Sequence, residues 1–189
     1  MRRVILPVLM ISILLLSACG NGGAAEEKLE KQRDTLAAAE RVAFTAEVTA
    51  SLGDEVFLCT LDCAATPEEI TVEVVEPSPV AGVKATVKNG EATLRYADVQ
   101  LSVGTGLEDS PGPLGAMPLL FRALRVGHVI RAWTEKDGEA SLIAAEIYAD
   151  DDLALTMWFD AGTLSPVHAS VSRDGAEVIR CAIRNFTFH

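Results

Sequence analysis

The sequence predicts a mainly β (α+β) fold of about eleven antiparallel strands, with one helix before the strands and one inserted among them. From Phe44 onward, apolar and polar residues alternate, as is typical of half-buried strands. Short turn signals, of which Asn89-Gly90 is the strongest, separate these runs and favour antiparallel hairpins. The alternation is interrupted once, over Pro113 to Val126, by apolar residues at helical spacing. An antiparallel sheet of this size is expected to curl into a barrel or half barrel.

The first nineteen residues form a secretion signal that ends in a cysteine. Met1-Arg2-Arg3 is basic, residues 4–16 are almost entirely apolar, and Leu16-Ser17-Ala18-Cys19 resembles the lipobox of bacterial lipoproteins. We therefore predict that residues 1–18 are removed, that Cys19 is lipidated, and that the chain is anchored to the cell membrane on its extracytoplasmic side. The alternatives are an ordinary signal peptide or a membrane helix, although a membrane span needs roughly 20 apolar residues.

Length and charge exclude several classes of function. Cleavage leaves 171 of the 189 residues, which suits one domain, predicted over residues 26–189 after a flexible tether at 19–25. Removing Arg2 and Arg3 lowers the basic residues from 16 to 14 against 27 acidic ones, a net charge of −13. A chain this acidic lacks the basic face that nucleic acid or anionic lipid requires. Contact with the bilayer is therefore assigned to the lipid anchor.

The predicted elements follow one another without a visible repeat or second domain. Glu26 to Arg41 is charged and rich in alanine, and it is predicted as a short helix. The strand-like runs that follow it are Val42 to Val48, Phe57 to Leu61, Ile70 to Val74, Val83 to Val87, Ala92 to Tyr96, Val99 to Val103, His128 to Thr134, Glu139 to Tyr148, Leu153 to Phe159, Val167 to Ser172 and Glu177 to Phe188.

The inserted helix is the main candidate for a functional element. A glycine-rich loop, Gly104 to Gly112, leads into it, and Gly127 follows it. Its apolar stripe consists of Leu114, Met117, Leu120, Phe121 and Leu124. Two interpretations stay open: a lid over an apolar cavity, or a plug that completes an ordinary core. Trp133 and Trp158 are further candidates for the lining of such a cavity.

Three cysteines remain once Cys19 is lipidated. Cys59 and Cys63 lie four residues apart on one predicted strand, roughly 13 Å and too far for a disulfide between them. A disulfide would therefore join Cys181 to Cys59 or to Cys63, and buried free thiols are the equal alternative.

The sequence contains no recognisable catalytic or metal-binding motif. It has no nucleophile elbow, and Gly104-Thr105-Gly106 lacks the lysine of a phosphate-binding loop. His128, His168 and His189 lack metal-ligand spacing, and Asp150-Asp151-Asp152 lacks that of a calcium loop. We therefore predict a non-enzymatic protein without a metal or cofactor.

Several short segments resemble the LolA/LolB-like superfamily of lipoprotein carriers, and more closely its lipid-anchored members in Gram-positive bacteria, including sporulation and germination lipoproteins. These segments are Glu76-Pro77 with Ala81-Gly82-Val83, Leu94 with Tyr96, Ser110-Pro111, and Trp158 to Val167. The resemblance implies a half-open antiparallel barrel in which helices cover an apolar cavity that binds acyl chains. One departure is the anchor, because the soluble carrier of the family must leave its membrane.

Two functional hypotheses follow. In the first, the anchored protein binds the acyl chain of a lipid or lipoprotein in a half-barrel cavity beneath the inserted helix. In the second, the same fold has a filled core and binds a partner protein at the cell surface.

Overall fold

A computed structural model describes residues 22–104, 112–150 and 153–189. The predicted signal peptide, Cys19 and most of the glycine-rich loop lie outside the described residues. Helix α1 spans Gly22–Ala38 and α2 spans Pro113–Val126, while a short 3-10 helix covers Ser78–Val80. The strands are β1 (Val42–Leu52), β2 (Glu55–Ala65), β3 (Glu69–Glu76), β4 (Lys84–Lys88), β5 (Glu91–Tyr96), β6 (Val99–Gly104), β7 (His128–Asp137), β8 (Ala140–Asp150), β9 (Leu153–Asp160), β10 (Pro166–Arg173) and β11 (Ala176–Phe188).

The eleven strands form one open antiparallel sheet in the order β6-β5-β4-β3-β2-β1-β11-β10-β9-β8-β7. Two consecutive meanders, β1 to β6 and β7 to β11, are joined where the first strand pairs with the last. The sheet is not closed, and β6 and β7 are its edges. The predicted fold class, an open antiparallel sheet with an N-terminal and an inserted helix, is confirmed. No helix in the described part of the chain is long and apolar enough to cross a membrane.

The N-terminal helix differs from its prediction at both ends. It begins at Gly22, inside the predicted tether, and ends at Ala38, before Arg41. Its start fits the high helix propensity of Ala24 and Ala25, the second of which is buried. Leu29 and Leu36 are fully buried, so these two leucines attach α1 to the domain.

The core lies on one face of the sheet, here called the inner face. Directly paired residues share a face, and the row Cys181, Val48, Cys59 crosses β11, β1 and β2 on the inner side. The opposite, outer face carries Thr45 and Glu47 of β1. Both helices pack on the inner face: Phe121 of α2 lies 4.9 Å from Phe44 of β1, centroid to centroid. Gly127 follows the last residue of α2. A Cβ atom at this position would lie 2.5 Å from the Ile147 side chain of β8, so the helix end can approach the sheet this closely only because the residue is glycine.

Candidate functional site

The stripe of α2 is packed into the core. Met117, Leu120, Phe121 and Leu124 are almost completely buried, and Leu114 is partly buried. Nine of the fourteen helix residues are buried, including Leu119 and Ala123, which lie off the predicted stripe. Because α2 contacts both the inner face and α1, it is buried on more sides than its stripe alone indicates. In this conformation the apolar stripe of α2 is part of the core.

One cavity, of about 470 Å³, borders the C-terminal half of α2. Its volume lies within the roughly 300–1,000 Å³ range of small-molecule sites. The β2–β3 turn and the Asn89-Gly90 turn form its other walls. Its lining residues are Ala37, Ala65, Thr66, Pro67, Glu68, Glu69, Ile70, Val87, Asn89, Gly90, Phe121, Arg122, Arg125 and Val126. Of the predicted lining residues, Phe121 is the one that borders this cavity.

Two arginines fasten the C-terminal end of α2. Arg125 donates from Nη1 to the Thr66 carbonyl (2.8 Å) and from Nη2 to the Ala39 carbonyl (3.0 Å). Arg33 of α1 donates to the Gly127 carbonyl. Burial lowers the pKa of both guanidinium groups, and for Arg33 the nearby Glu30 and Asp34 partly oppose this. These contacts tie α2 to α1 and to the β2–β3 turn. Sequence reasoning missed them because arginines off an apolar stripe indicate only an exposed position.

The inner face continues beyond α2 onto β5 and β6, where it is exposed. The register runs Val72, Ala85, Leu94, Leu101 across β3 to β6, so these residues share the inner face. Val72 and Ala85 are buried, whereas Leu101 is 60% exposed. The next row pairs Tyr96 with Val99, which are 49% and 70% exposed. Contiguous exposed apolar side chains of this kind mark binding surfaces. We call the exposed residues Tyr96, Val99 and Leu101, together with Leu94, which is partly buried against the core, the open inner patch.

The two tryptophans lie on the outer face, so their prediction as cavity lining is wrong. Trp133 and Trp158 both pair with Ala144, whereas their neighbours Ala132 and Met157 occupy the inner side. Both indole N–H groups donate to the Glu135 carboxylate, from Trp133 at 3.0 Å. Because successive side chains of a strand point to opposite faces, both tryptophans lie on the other side of the sheet from Phe121. The sequence error lay in treating aromatic residue type as evidence for the face.

The three described cysteines are free thiols, which is one of the two alternatives that the sequence left open; the other was a disulfide from Cys181 to Cys59 or Cys63. Cys181 and Cys59 share an inner-face row with Val48 between them. Two strand spacings put them about 10 Å apart, beyond the reach of a disulfide. Burial raises the pKa of Cys181 to about 12, and it raises the pKa of Cys63 and Cys59 as well. These thiols are small apolar core residues and poor nucleophiles.

Among the described residues, no group of three or more His, Cys, Asp or Glu side chains is placed to hold a metal ion. Polar side chains of the described chain stabilise turns and pairs of neighbouring strands. Asp160, for example, accepts hydrogen bonds from the backbone of Gly162 and Thr163 and so stabilises the β9–β10 turn. The arrangement on the inner face is suited to holding an apolar molecule.

Comparison with known proteins finds structures of similar fold but no similar sequence. No family model matches the chain, and no curated protein matches its sequence. A conserved, uncharacterized protein of Thermus thermophilus is 10% identical with a TM-score of 0.53, over 87% of each chain. A DUF1329 family protein of Desulfovibrio piger is 9% identical with a TM-score of 0.52, over 85% of this chain and 90% of its own. A LolA superfamily protein of Nitrosomonas europaea is 12% identical with a TM-score of 0.48, over 87% and 93%. The chain thus shares its overall fold with the first two structures.

Proposed function

We propose that the mature protein is a membrane-anchored extracytoplasmic lipoprotein that binds the acyl chain of a lipid or lipoprotein on the inner face of its open sheet. The open inner patch carries this proposal. Val99 and Leu101 belong to the same face as the buried core and have the same side-chain chemistry, but no helix of the described chain covers them. A binding role explains why apolar residues at these positions of the inner face are exposed.

Burial of this patch supplies the binding energy. Apolar surface removed from water contributes roughly 25 cal/mol per Å², so covering a few aliphatic side chains amounts to several kcal/mol before the entropic costs of binding. An acyl chain lying along β5 and β6 needs no hydrogen-bond partner. The patch supplies affinity without specificity for a headgroup.

The stripe of α2 keeps a role in this proposal. Displacement of the helix from the inner face would add Leu114, Met117, Leu120, Phe121 and Leu124 to the binding surface. Arg33 and Arg125 oppose such a displacement, because each holds the helix end through carbonyl oxygens. The closed arrangement is then the ligand-free state, and the 470 Å³ cavity beside Phe121 is where opening begins.

Lipidation at Cys19 completes the proposal by supplying membrane attachment. A net charge of −11 for the whole chain disfavours electrostatic docking on anionic lipid. The anchor keeps the domain beside its ligand without such docking. The chemistry proposed is binding and release, without a catalysed reaction.

The test is binding of a fluorescent long-chain fatty acid to the purified protein. We expect Leu101→Lys to weaken binding about tenfold or more, because a charged group replaces apolar contact surface. Ile130→Lys on β7, the other edge strand, is the matched control, since Ile130 is also an exposed aliphatic residue. Equal binding by both variants, or no binding by the unaltered protein, would overturn the proposal.

A further inference from the structure

The hairpin of β1 and β2 extends beyond its neighbours on the sheet. The pairing of β2 with β3 begins only at Thr60, opposite Glu76. The pairing of β2 with β1 continues to Glu55, opposite Leu52. Residues 55–59 of β2 therefore have a strand on one side and none on the other within the described chain. At about 3.4 Å per residue, this free edge is roughly 17 Å long.

The free edge presents backbone groups as well as apolar side chains. Leu52 and Glu55 close a two-residue turn in which Gly53 has φ +64°. Such a closing pair exchanges both of its backbone hydrogen bonds. Alternation along an antiparallel strand then directs the N–H and C=O groups of Val56 and Leu58 away from β1. These are the groups that an added strand would bond.

Three consecutive apolar residues are exposed along this edge: Val56 is 64%, Phe57 44% and Leu58 68% exposed. Since successive side chains point to opposite faces, both faces of the edge are apolar. Unprotected apolar edges favour pairing with another chain, and natural proteins usually guard them with lysine or proline. Residues 55–59 contain neither.

A groove of about 760 Å³ lies on the outer face of the sheet, next to the free edge. Leu58, Cys59 and Thr60 of β2 border it together with Glu76, Pro77 and Ser78. The groove continues across the neighbouring strands to Glu47, Thr49, Ala182 and His168. It therefore leaves the outer side of the free edge accessible to another chain.

We propose that this edge binds an extended segment of a partner protein as an added antiparallel strand, and that the segment alternates apolar with basic residues. Charge selects the partner. Asp54 and Glu55 are exposed at one end of the edge, and Glu76 is exposed at the other. Arg180 also borders the groove, but it forms an ion pair with Glu177 at 3.0 Å. It lies on β11, two strands away from the free edge, in the row Leu58, Thr49, Arg180.

The same charges disfavour the other occupants. Self-pairing of two copies centred on Phe57 would place Asp54 opposite Thr60 of the second copy, next to that copy's Glu76. Each whole chain also carries a net charge of −11. Insertion of the hairpin into an anionic membrane would bring Asp54 and Glu55 to the lipid first. A basic partner strand meets none of this repulsion.

The test uses two capped synthetic peptides, Lys-Val-Lys-Val-Lys-Val and Glu-Val-Glu-Val-Glu-Val, with the lipidated protein in mild detergent. Hydrogen exchange of individual amides is the readout. We expect the lysine peptide to slow exchange at Val56 and Leu58 by about tenfold or more, because added-strand hydrogen bonds protect these amides. The glutamate peptide should give no protection.

Leu58→Lys should abolish this protection, whereas Ile130→Lys on the edge strand β7 should leave it unchanged. Far-UV circular dichroism verifies that both variants remain folded. Three results would overturn the proposal: no protection by the lysine peptide, equal protection by both peptides, or protection that rises with protein concentration alone, which would assign the edge to a second copy. These outcomes do not depend on fatty-acid binding, because the edge and the open inner patch are separate surfaces.

Discussion

Strands β8 and β6 both carry apolar residues on the inner face, but these residues have opposite environments. The inner residues of β8, Ile143, Ala145 and Ile147, are buried, whereas all six residues of β6 are exposed. The difference comes from coverage, because α2 packs against β8 and leaves β6 open. Alternation therefore identifies which side of a strand is apolar, and the helices decide whether that side becomes core or binding surface. Four predictions, most of them with a matched control, test the packing that underlies this contrast.

The largest effect is expected from truncating the covered part of the inner face. Phe121→Ala should lower the free energy of unfolding by about 3–5 kcal/mol, because it leaves a cavity against Phe44. Leu101→Ala on the open inner patch should change it by about 0.5 kcal/mol or less. Urea denaturation measures both. Similar losses for the two variants would mean that β6 is covered in solution.

Gly127 tests the close approach of α2 to β8. A Cβ there would lie 2.5 Å from Ile147 Cγ2 and 2.9 Å from the backbone of Ala123. Gly127→Ala should therefore cost about 1–3 kcal/mol through overpacking. Gly162→Ala is the control, since its Cβ would meet its nearest neighbour at 3.4 Å. A neutral Gly127→Ala would show that the helix end is not held against the sheet.

Arg125 tests how strongly α2 is fastened. Arg125→Ala removes hydrogen bonds to the Thr66 and Ala39 carbonyls and should cost about 1–3 kcal/mol. The exposed pair Arg131–Glu146, at 2.6 Å, provides a comparison, and Arg131→Ala should cost about 0–1 kcal/mol. If helix displacement admits ligand, Arg125→Ala should also speed fatty-acid uptake in stopped-flow fluorescence. Unchanged uptake would contradict the role given to this fastening.

Of these substitutions, Cys181→Ala is expected to change the free energy of unfolding least at neutral pH. It should alter how that free energy depends on pH in the alkaline range. Burial raises the pKa of Cys181 from 9.0 to about 12, so the unfolded chain loses this proton first. The stabilising contribution is complete below pH 9 and declines as the pH rises towards 12. Urea denaturation across this range should show a shallower decline for Cys181→Ala than for the unaltered protein. Parallel curves would mean that the thiol is not buried.

The fold could be predicted from the sequence because local signals agree with one another. Alternation, the Asn89-Gly90 turn and the period change at Pro113 are each local, and all of them proved correct. The pairing of β1 with β11 that joins the two meanders carries no local signal. It depends on both meanders burying their inner faces against the same helix, α2.

The site was predictable only in part. The α2 stripe could be read from helical spacing, but its burial depends on α1, whose weak apolar content gave no hint of its position. Trp158 was assigned to the cavity lining because it is aromatic, but an aromatic side chain packs equally well on either face of a sheet. The open inner patch was invisible because Leu101 and Ile147 occupy equivalent positions in equivalent patterns. Exposure of one and burial of the other is a property of the assembled chain.

Photoaffinity labelling with a diazirine fatty acid, followed by mapping of the modified residues by mass spectrometry, tests whether an acyl chain binds to the inner face. We expect labels on the open inner patch, at Tyr96, Val99 and Leu101, with further labels beside the cavity at Val126. Labels confined to outer-face residues such as Trp133 and Trp158, or labelling that unlabelled fatty acid fails to displace, would contradict it.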